Sequence, residues 1–195
     1  MNKKSLSLKK LTSELFKNGK KEMAGRSRGI RTRETIEKLL KEGDEACLIF
    51  DFSGMGSIDF SWADEVVAKM VSRLWSGEYG EKFLVLKGLS PSQSENIGVA
   101  LERKKLAALT TGPEGWRIIG SLNNYLIQTL QQVMKRRRLT LRELSEVEGI
   151  GMNTGGTRLL NLYKKRLVLR TEGSSDPDRE DTHRGRQYVY QSLLA

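Results

Sequence analysis

The chain has 195 residues, of which 37% are hydrophobic, and its formal net charge at neutral pH is +10. This hydrophobic fraction is enough to build one or two buried cores, which excludes an extended disordered protein. No apolar run approaches the roughly 20 residues of a membrane span, and the basic N-terminal stretch lacks the apolar segment of a secretory signal. We therefore expect a cytoplasmic, nucleoid-associated protein without membrane contact.

Positive charge is concentrated towards the two ends of the chain. Residues 1–33 hold eleven Lys or Arg and two Asp or Glu, which gives a net charge of +9. Residues 34–110 carry a net charge of −4, and residues 111–195 carry +5. This pattern favours an anionic partner that touches the ends of the chain.

The residue types that support metal or nucleophilic chemistry are scarce. There is one cysteine and one histidine. Cys47 lies in the apolar run ACLIFDF, which predicts a small buried side chain and no disulfide. His183 has no His or Cys beside it, which argues against a zinc site or a Ser-His-Asp arrangement. We expect no catalytic residue, no metal and no cofactor.

The first third of the chain alternates between strand and helix patterns. Leu and Ser alternate over residues 5–8, which predicts an edge strand. The polar segment Phe16–Gly25 is predicted to be a loop or a second short strand. Helical spacing then runs from about Ile30 to a stop at Gly43. The apolar run Ala46–Phe52 indicates a central strand that is covered on both faces.

The pattern continues to residue 109. A helix is predicted to begin at Ser61, which would act as its N-cap with Asp64 three residues later. Its apolar stripe consists of Ala63, Val66, Val67, Met70 and Leu74. A strand follows at Phe83–Leu86, and a helix at Ser92–Leu109. This alternation predicts an α/β domain with a mostly parallel sheet over residues 1–110.

The next segment suggests a domain boundary followed by a long helix. Thr110–Gly115 contains proline and two glycines and is the predicted boundary. An amphipathic helix is then predicted over Trp116–Arg136, with a heptad-like stripe that includes Leu122 and Leu126. Core packing and a homodimer contact explain this stripe equally well. The basic run Lys135–Arg138 at its end is either a solvated helix terminus or a phosphate contact.

The C-terminal third has the order helix, turn, helix, strand, charged loop, strand. The helices are predicted at Leu141–Glu148 and after the glycines of residues 149–151, with Asn153 or Thr154 as the second N-cap. The strands are predicted at Leu167–Thr171 and Gln187–Gln191. The buried face of the second helix is predicted to consist of Leu159, Leu160 and Tyr163. This segment, placed in a domain at residues 111–195, resembles the winged helix-turn-helix (α+β) regulators of bacteria and archaea.

In a winged helix-turn-helix, the second helix of the pair enters the major groove and the loop between the strands follows the DNA backbone. The outward and flanking side chains have the types that suit bases and phosphates, and the glycines at the helix start would allow a close approach to DNA. The predicted DNA-binding residues are Arg142, Asn153, Thr154, Gly155, Thr157, Arg158, Asn161, Lys164, Lys165, Arg184 and Arg186. The alternative is a winged helix that serves only to dimerise.

Two turns in the α/β segment resemble those of the STAS domain of anti-sigma-factor antagonists. Asp51-Phe52-Ser53-Gly54 matches the turn that ends a strand, and Asp59-Phe60-Ser61 matches the turn that opens the next helix. The resemblance covers residues 5–109, and it implies a partner surface at Asp59, Ser61 and Asp64. Ser61 falls on the serine that is phosphorylated in that family, although Trp62 replaces the usual glycine. The alternative is that Ser61 serves only as an N-cap.

Together these patterns predict a STAS-like α/β domain followed by a winged helix-turn-helix. We expect a homodimeric transcriptional regulator that binds double-stranded DNA. The alternative function is a STAS-like interaction module that acts with a GHKL-type ATPase through the Ser61 surface. An enzyme is a third possibility, which the single histidine and the missing metal-binding or phosphate-loop pattern oppose.

Overall fold

The computed structural model describes residues 1–16, 23–173 and 187–195. The described residues form two compact units, Met1–Leu122 (unit 1) and Asn123–Ala195 (unit 2). The loop predicted after Phe16 and the charged loop before Gln187 lie mostly outside the described residues. No helix in the described part of the chain is long and apolar enough to cross a membrane.

Unit 1 is built on a sheet whose strands follow one another in sequence order, β1-β2-β3-β4-β5. Strands β1 to β4 run parallel and β5 pairs antiparallel with β4, so the prediction of a mostly parallel sheet is confirmed. The strands are β1 (Lys3–Ser7), β2 (Cys47–Asp51), β3 (Phe83–Lys87), β4 (Ala107–Gly112) and β5 (Gly115–Gly120).

The helices of unit 1 connect these strands. They are α1 (Leu8–Leu15), α2 (Arg26–Glu42), α3 (Phe60–Ala63), α4 (Lys69–Trp75) and α5 (Pro91–Arg103), with a π-helical segment, Asp64–Ala68, between α3 and α4. Right-handed crossovers between successive parallel strands place their connecting helices on one face of a sheet. Leu48 and Phe50 of β2 accordingly share one core with Val67 and Met70. The predicted stripe from Ala63 to Leu74 is buried in this core.

Cys47 is fully buried, as predicted. Burial raises the pKa of its thiol to about 11. The thiolate is the reactive form of cysteine, so this side chain is held in its inert, protonated form.

Two predicted helices are present, but each is predicted to extend into residues that form the β4–β5 hairpin. The helix predicted at Ser92–Leu109 ends at Arg103, and Leu109 belongs to β4. The helix predicted at Trp116–Arg136 begins only at Asn124, because Gly115–Gly120 pairs with β4 along its whole length. Pro113 and Glu114 therefore turn a hairpin between the paired residues Gly112 and Gly115, and the predicted boundary at residue 110 falls inside β4.

The helix predicted to begin at Ser61 has a different N-cap in the structure. Asp59 is the N-cap of α3, and its Oδ1 accepts a hydrogen bond from Trp62 N at 2.8 Å. Its other oxygen, Oδ2, accepts from Gly25 N at 2.8 Å, which ties the start of α2 to the start of α3. Ser61 lies one residue inside α3, so the prediction that it caps the helix is wrong.

We expect the Asp59→Ala variant to lose about 1–3 kcal/mol of unfolding free energy, because two backbone N–H groups lose their acceptor. Ser61→Ala should stay within about 0.5 kcal/mol of the wild type, since its hydroxyl does not cap. Urea unfolding followed by tryptophan fluorescence measures both, because Trp62, Trp75 and Trp116 all lie in unit 1. Equal losses for the two variants would contradict this assignment of the cap.

Unit 2 has the order helix, strand, helix, helix, strand, strand, and its sheet has the antiparallel order β6-β8-β7. Its elements are α6 (Asn124–Arg136), β6 (Arg138–Thr140), α7 (Leu141–Glu148), α8 (Met152–Lys164), β7 (Val168–Glu172) and β8 (Tyr188–Ser192). The predicted helix pair and both predicted strands are confirmed. Leu162 is buried on α8, whereas Leu160 is only half-buried.

The apolar stripe of α6 is buried inside unit 2. Its buried residues are Leu126, Thr129, Leu130 and Val133, and the helix packs on α8, β6 and β8. Leu126 is 1% exposed, so this side chain is a core residue and cannot form the predicted dimer contact.

Candidate nucleic-acid interface

Local hydrogen bonds fix the two ends of α7. Thr140 and Glu143 form a reciprocal capping box at its start. The backbone N–H and the hydroxyl of Thr140 donate to the Glu143 carboxylate, which lowers the pKa of that carboxyl group. Gly149 ends the helix in the left-handed conformation, with φ of 63°, where glycine carries no Cβ penalty.

Gly155 is the position at which α8 packs closely on α7. It is buried, and a Cβ placed there would lie 3.0 Å from Leu141 Cδ1 and 3.2 Å from Ser145 Oγ. The sequence interpretation of Gly155 as a close approach to DNA is therefore wrong. Gly156 is half-buried and likewise has Leu141 as its neighbour.

The opposite side of α8 presents a polar stripe. Asn153, Thr154, Thr157 and Lys164 are exposed, and Asn161 is half-exposed. These positions recur at helical spacing and therefore share one side of the helix. We call these five residues the α8 stripe.

The helix start leaves the side chains of this stripe available. Gly151 is the N-cap of α8 and makes no side-chain capping bond. Asn153 and Thr154 lie inside the first turn, so the prediction that one of them caps the helix is wrong. Thr157 Oγ1 donates to the Asn153 carbonyl at 2.9 Å, which is a bond within the helix.

Arg158 does not point away from the unit as predicted. Its side chain is 20% exposed, and its guanidinium donates to Glu148 Oε2 at 2.9 Å. It also lies over the ring of Tyr125, with Cζ 5.3 Å from the ring centre. Glu148 Oε2 accepts a second hydrogen bond from Thr129 Oγ1 at 3.4 Å. Arg158 therefore joins α8 to α6 and to the end of α7.

The remaining predicted DNA contacts differ in exposure. Arg142 is exposed on α7. Lys165 is half-buried, and burial lowers the pKa of its ammonium group. Arg184 and Arg186 lie outside the described residues. Arg170, which the sequence did not single out, has its guanidinium 4.3 Å from the ring centres of both Tyr163 and Tyr188.

The predicted partner-binding residues lie together at the start of α3 in unit 1. Ser61 is half-buried, and Asp59 uses both carboxylate oxygens as acceptors. Asp64 is 7% exposed and forms an ion pair with Lys104, with 3.1 Å between Oδ1 and Nζ. Trp62 is fully buried. Of the three predicted residues, only Ser61 has a polar group that the described contacts leave uncommitted.

Sequence reasoning missed the residues that hold Arg158. Glu148 and Thr129 belong to other helices than α8, and Tyr125 lies 33 positions before Arg158 in the printed sequence. Helical periodicity reports only neighbours three or four residues apart, so it carries no signal for this contact.

The comparisons with known proteins assign no family. A scan against protein-family models found no match, and a search of the curated proteins found no similar sequence. Within the described part of the chain, no group of His, Cys, Asp and Glu side chains is arranged to hold a metal ion.

Proposed function

We propose that the chain is a DNA-binding transcriptional regulator, with a winged helix-turn-helix in unit 2 and a STAS-like partner-binding or sensory domain in unit 1. The α8 stripe is the observation that carries this proposal. It is the polar side of the second helix of a tightly packed pair, which is the helix that enters the major groove in helix-turn-helix proteins.

The chemistry of the stripe fits a duplex. Asn153 and Asn161 offer the paired donor and acceptor that read adenine in the major groove, and Thr154 and Thr157 can contact bases or thymine methyl groups. Lys164, at the end of the helix, supplies a cation for the phosphate backbone. The exposed arginines 136, 137 and 138 add positive charge at the end of α6.

The test is binding to a duplex site selected from random sequence with the wild-type protein. The Asn153→Ala/Thr157→Ala/Asn161→Ala variant is expected to bind that site at least about tenfold more weakly, since each well-placed base contact contributes about 1–3 kcal/mol. The matched control is Gln128→Ala/Gln131→Ala, which truncates exposed polar residues of α6 in the same unit. Equal affinities for the two variants would refute the α8 stripe as the interface.

A second candidate function is supported by the Ser61 hydroxyl. It is half-buried and makes no hydrogen bond among the described residues, so helix capping does not account for it. This is compatible with a STAS-like surface that meets a GHKL-type ATPase. A Ser61→Asp variant that folds normally but changes affinity for such an ATPase would favour this function.

A further inference from the structure

The last residues of the parallel strands form a polar row across the sheet of unit 1. Ser7, Asp51, Lys87 and Thr111 are register partners on β1 to β4, so they lie side by side where the four strands end. The other four residues of β3 are buried, whereas Lys87 is exposed. The loops that follow parallel strands meet at this edge, which is where ligands of open α/β sheets bind.

A β-turn follows β2 at this edge. Met55 N donates to Phe52 O at 2.9 Å, and Gly54, the third residue of the turn, has a φ of 67°. The side chain and the backbone N–H of Ser53 donate to Asp51, which lowers the pKa of that carboxyl group and ties the turn to the end of the strand. The Gly54 N–H makes no hydrogen bond among the described residues and is therefore an available donor.

Two lysine ammonium groups lie close to this turn. Lys9, at the start of α1, reaches across to Gly54: a Cβ on that glycine would lie 3.3 Å from Lys9 Nζ. Lys87 Nζ lies 3.8 Å from Asp51 Oδ2. Lys9 forms no ion pair within the part of the chain that the structure describes, so two ammonium groups face one carboxylate here. We call Lys9, Gly54 and Lys87 the strand-end site.

The glycine that follows Lys87 brings the loops after β2 and β3 together. A Cβ on Gly88 would overlap Ser53 Oγ and would lie 3.4 Å from Asp51 Oδ1. Gly88 has a φ of 70°, a conformation that glycine adopts without a steric penalty. The absence of a side chain at this position therefore lets the turn lie against the end of β3, next to Lys87.

Helix stability does not account for Lys9. It stands in the first turn of α1, where a positive charge opposes the helix dipole, and no acidic residue is present in that turn. Its ammonium group lies over a glycine and has no carboxylate partner. This placement leaves the charge of Lys9 available for an anion that approaches the turn.

We propose that the strand-end site binds a phosphate group, either as free phosphate or as the monoester of a small ligand. Lys9 and Lys87 would supply charge-assisted hydrogen bonds, and the Gly54 N–H would supply a backbone donor. Asp51 does not compete for these donors, since its oxygens already face Ser53 and Lys87. The inference rests on the sensory role proposed for unit 1, to which it gives a ligand class, and it does not depend on the α8 interface.

The test is an amide NMR titration of the full chain with sodium phosphate, against sodium chloride at equal ionic strength. Phosphate is expected to shift the Gly54 amide signal to saturation, and chloride is not. Lys9→Gln should weaken phosphate binding at least about tenfold, because a hydrogen bond to a charged group is lost. The matched control, Lys10→Gln, removes the adjacent exposed charge of α1 and should keep the wild-type affinity.

A parallel titration with glycerol phosphate identifies the source of the phosphate group. Tighter binding of the ester supports a phosphorylated small ligand, and tighter binding of inorganic phosphate supports the free ion. A shift that chloride reproduces, or equal weakening by Lys9→Gln and Lys10→Gln, would overturn the site, since positive potential alone would then explain the effect. No DNA is present, so this failure would leave the α8 interface standing, and failure of the α8 interface would leave phosphate binding unchanged.

Discussion

The Glu65→Gln variant is expected to unfold with a free energy about 3–5 kcal/mol lower than that of the wild type. Glu65 lies in the π-helical segment, and its side chain is 1% exposed. Its carboxylate faces three cations: Lys69 Nζ at 2.6 Å, Arg26 Nε at 3.7 Å and Arg33 at 3.8 Å. Glutamine keeps the volume but removes this counter-ion from all three cations, and it leaves the buried Arg33 with Glu37 alone, whose Oε1 lies 3.8 Å from Arg33 Nε.

Urea unfolding followed by tryptophan fluorescence again isolates unit 1. Glu42→Gln is the control, because Glu42 is 61% exposed and its pair with Lys38 spans 3.9 Å, so its loss should cost less than about 1 kcal/mol. Glu65→Leu/Arg33→Met should recover most of the stability, since well-packed apolar residues often replace a buried pair without loss. A Glu65→Gln protein as stable as the Glu42→Gln control would show that the network is not needed for folding.

The contact between α2 and the π-helical segment also explains a glycine whose role sequence patterns did not reveal. A Cβ at Gly29 would lie 2.8 Å from Glu65 Cβ and 3.2 Å from Trp62 Cα. Glycine therefore lets α2 approach the π-helical segment closely enough for Arg33 to reach Glu65. In the sequence, Gly29 appears only as part of a polar, arginine-rich stretch, because the partner that requires it is 36 positions away.

Sequence patterns correctly predict the strands and helices whose apolar residues, read from their own spacing, are the residues that are buried. The strand around Phe50 and the helix around Val67 were predicted within a few residues, because a continuous apolar run and a 3.6-residue stripe each report their own surroundings. The sequence predicts a helix over residues 116–120, because Ile118 and Ile119 continue the apolar spacing of α6. Pairing with β4 overrides that spacing, and a single local window cannot show it.

The prediction of the candidate interface is correct where helical spacing decides exposure, and wrong where a contact with another helix decides it. The polar stripe through Thr157 and Asn161 follows from helical geometry, once the buried side is known. The misassigned residues are those that contact another helix: Gly155 packs on α7, and Arg158 pairs with Glu148. Residue type alone suggested DNA contact for both, whereas their surroundings give each a structural role.

The last test concerns Arg158. A role in positioning α8 and a role in reading a base predict different results for its variants. As an internal positioning residue, it holds α8 through Glu148, whose second oxygen, Oε1, is buried without a hydrogen bond in the described residues. Arg158→Met and Glu148→Gln should then each destabilise unit 2 by about 1.5–3 kcal/mol, the usual loss for a hydrogen bond to a charged group. The double variant should cost less than the sum of the two, because each single change already breaks the same contact. Hydrogen exchange of the α8 amides measures this coupling.

DNA binding by the folded variants then distinguishes the positioning role of Arg158 from the base-reading role. If Arg158 only positions α8, both single variants should weaken binding by a similar factor, and neither should change which bases are preferred. If Arg158 reads a base directly, as its residue type suggested, Arg158→Met alone should relax the preference at one base pair, by about 1–3 kcal/mol. Selection of sites from random duplexes with each variant gives the answer. A relaxed position for Arg158→Met that Glu148→Gln does not share would contradict the internal role, since it would require the guanidinium to leave Glu148 and Tyr125 when DNA binds.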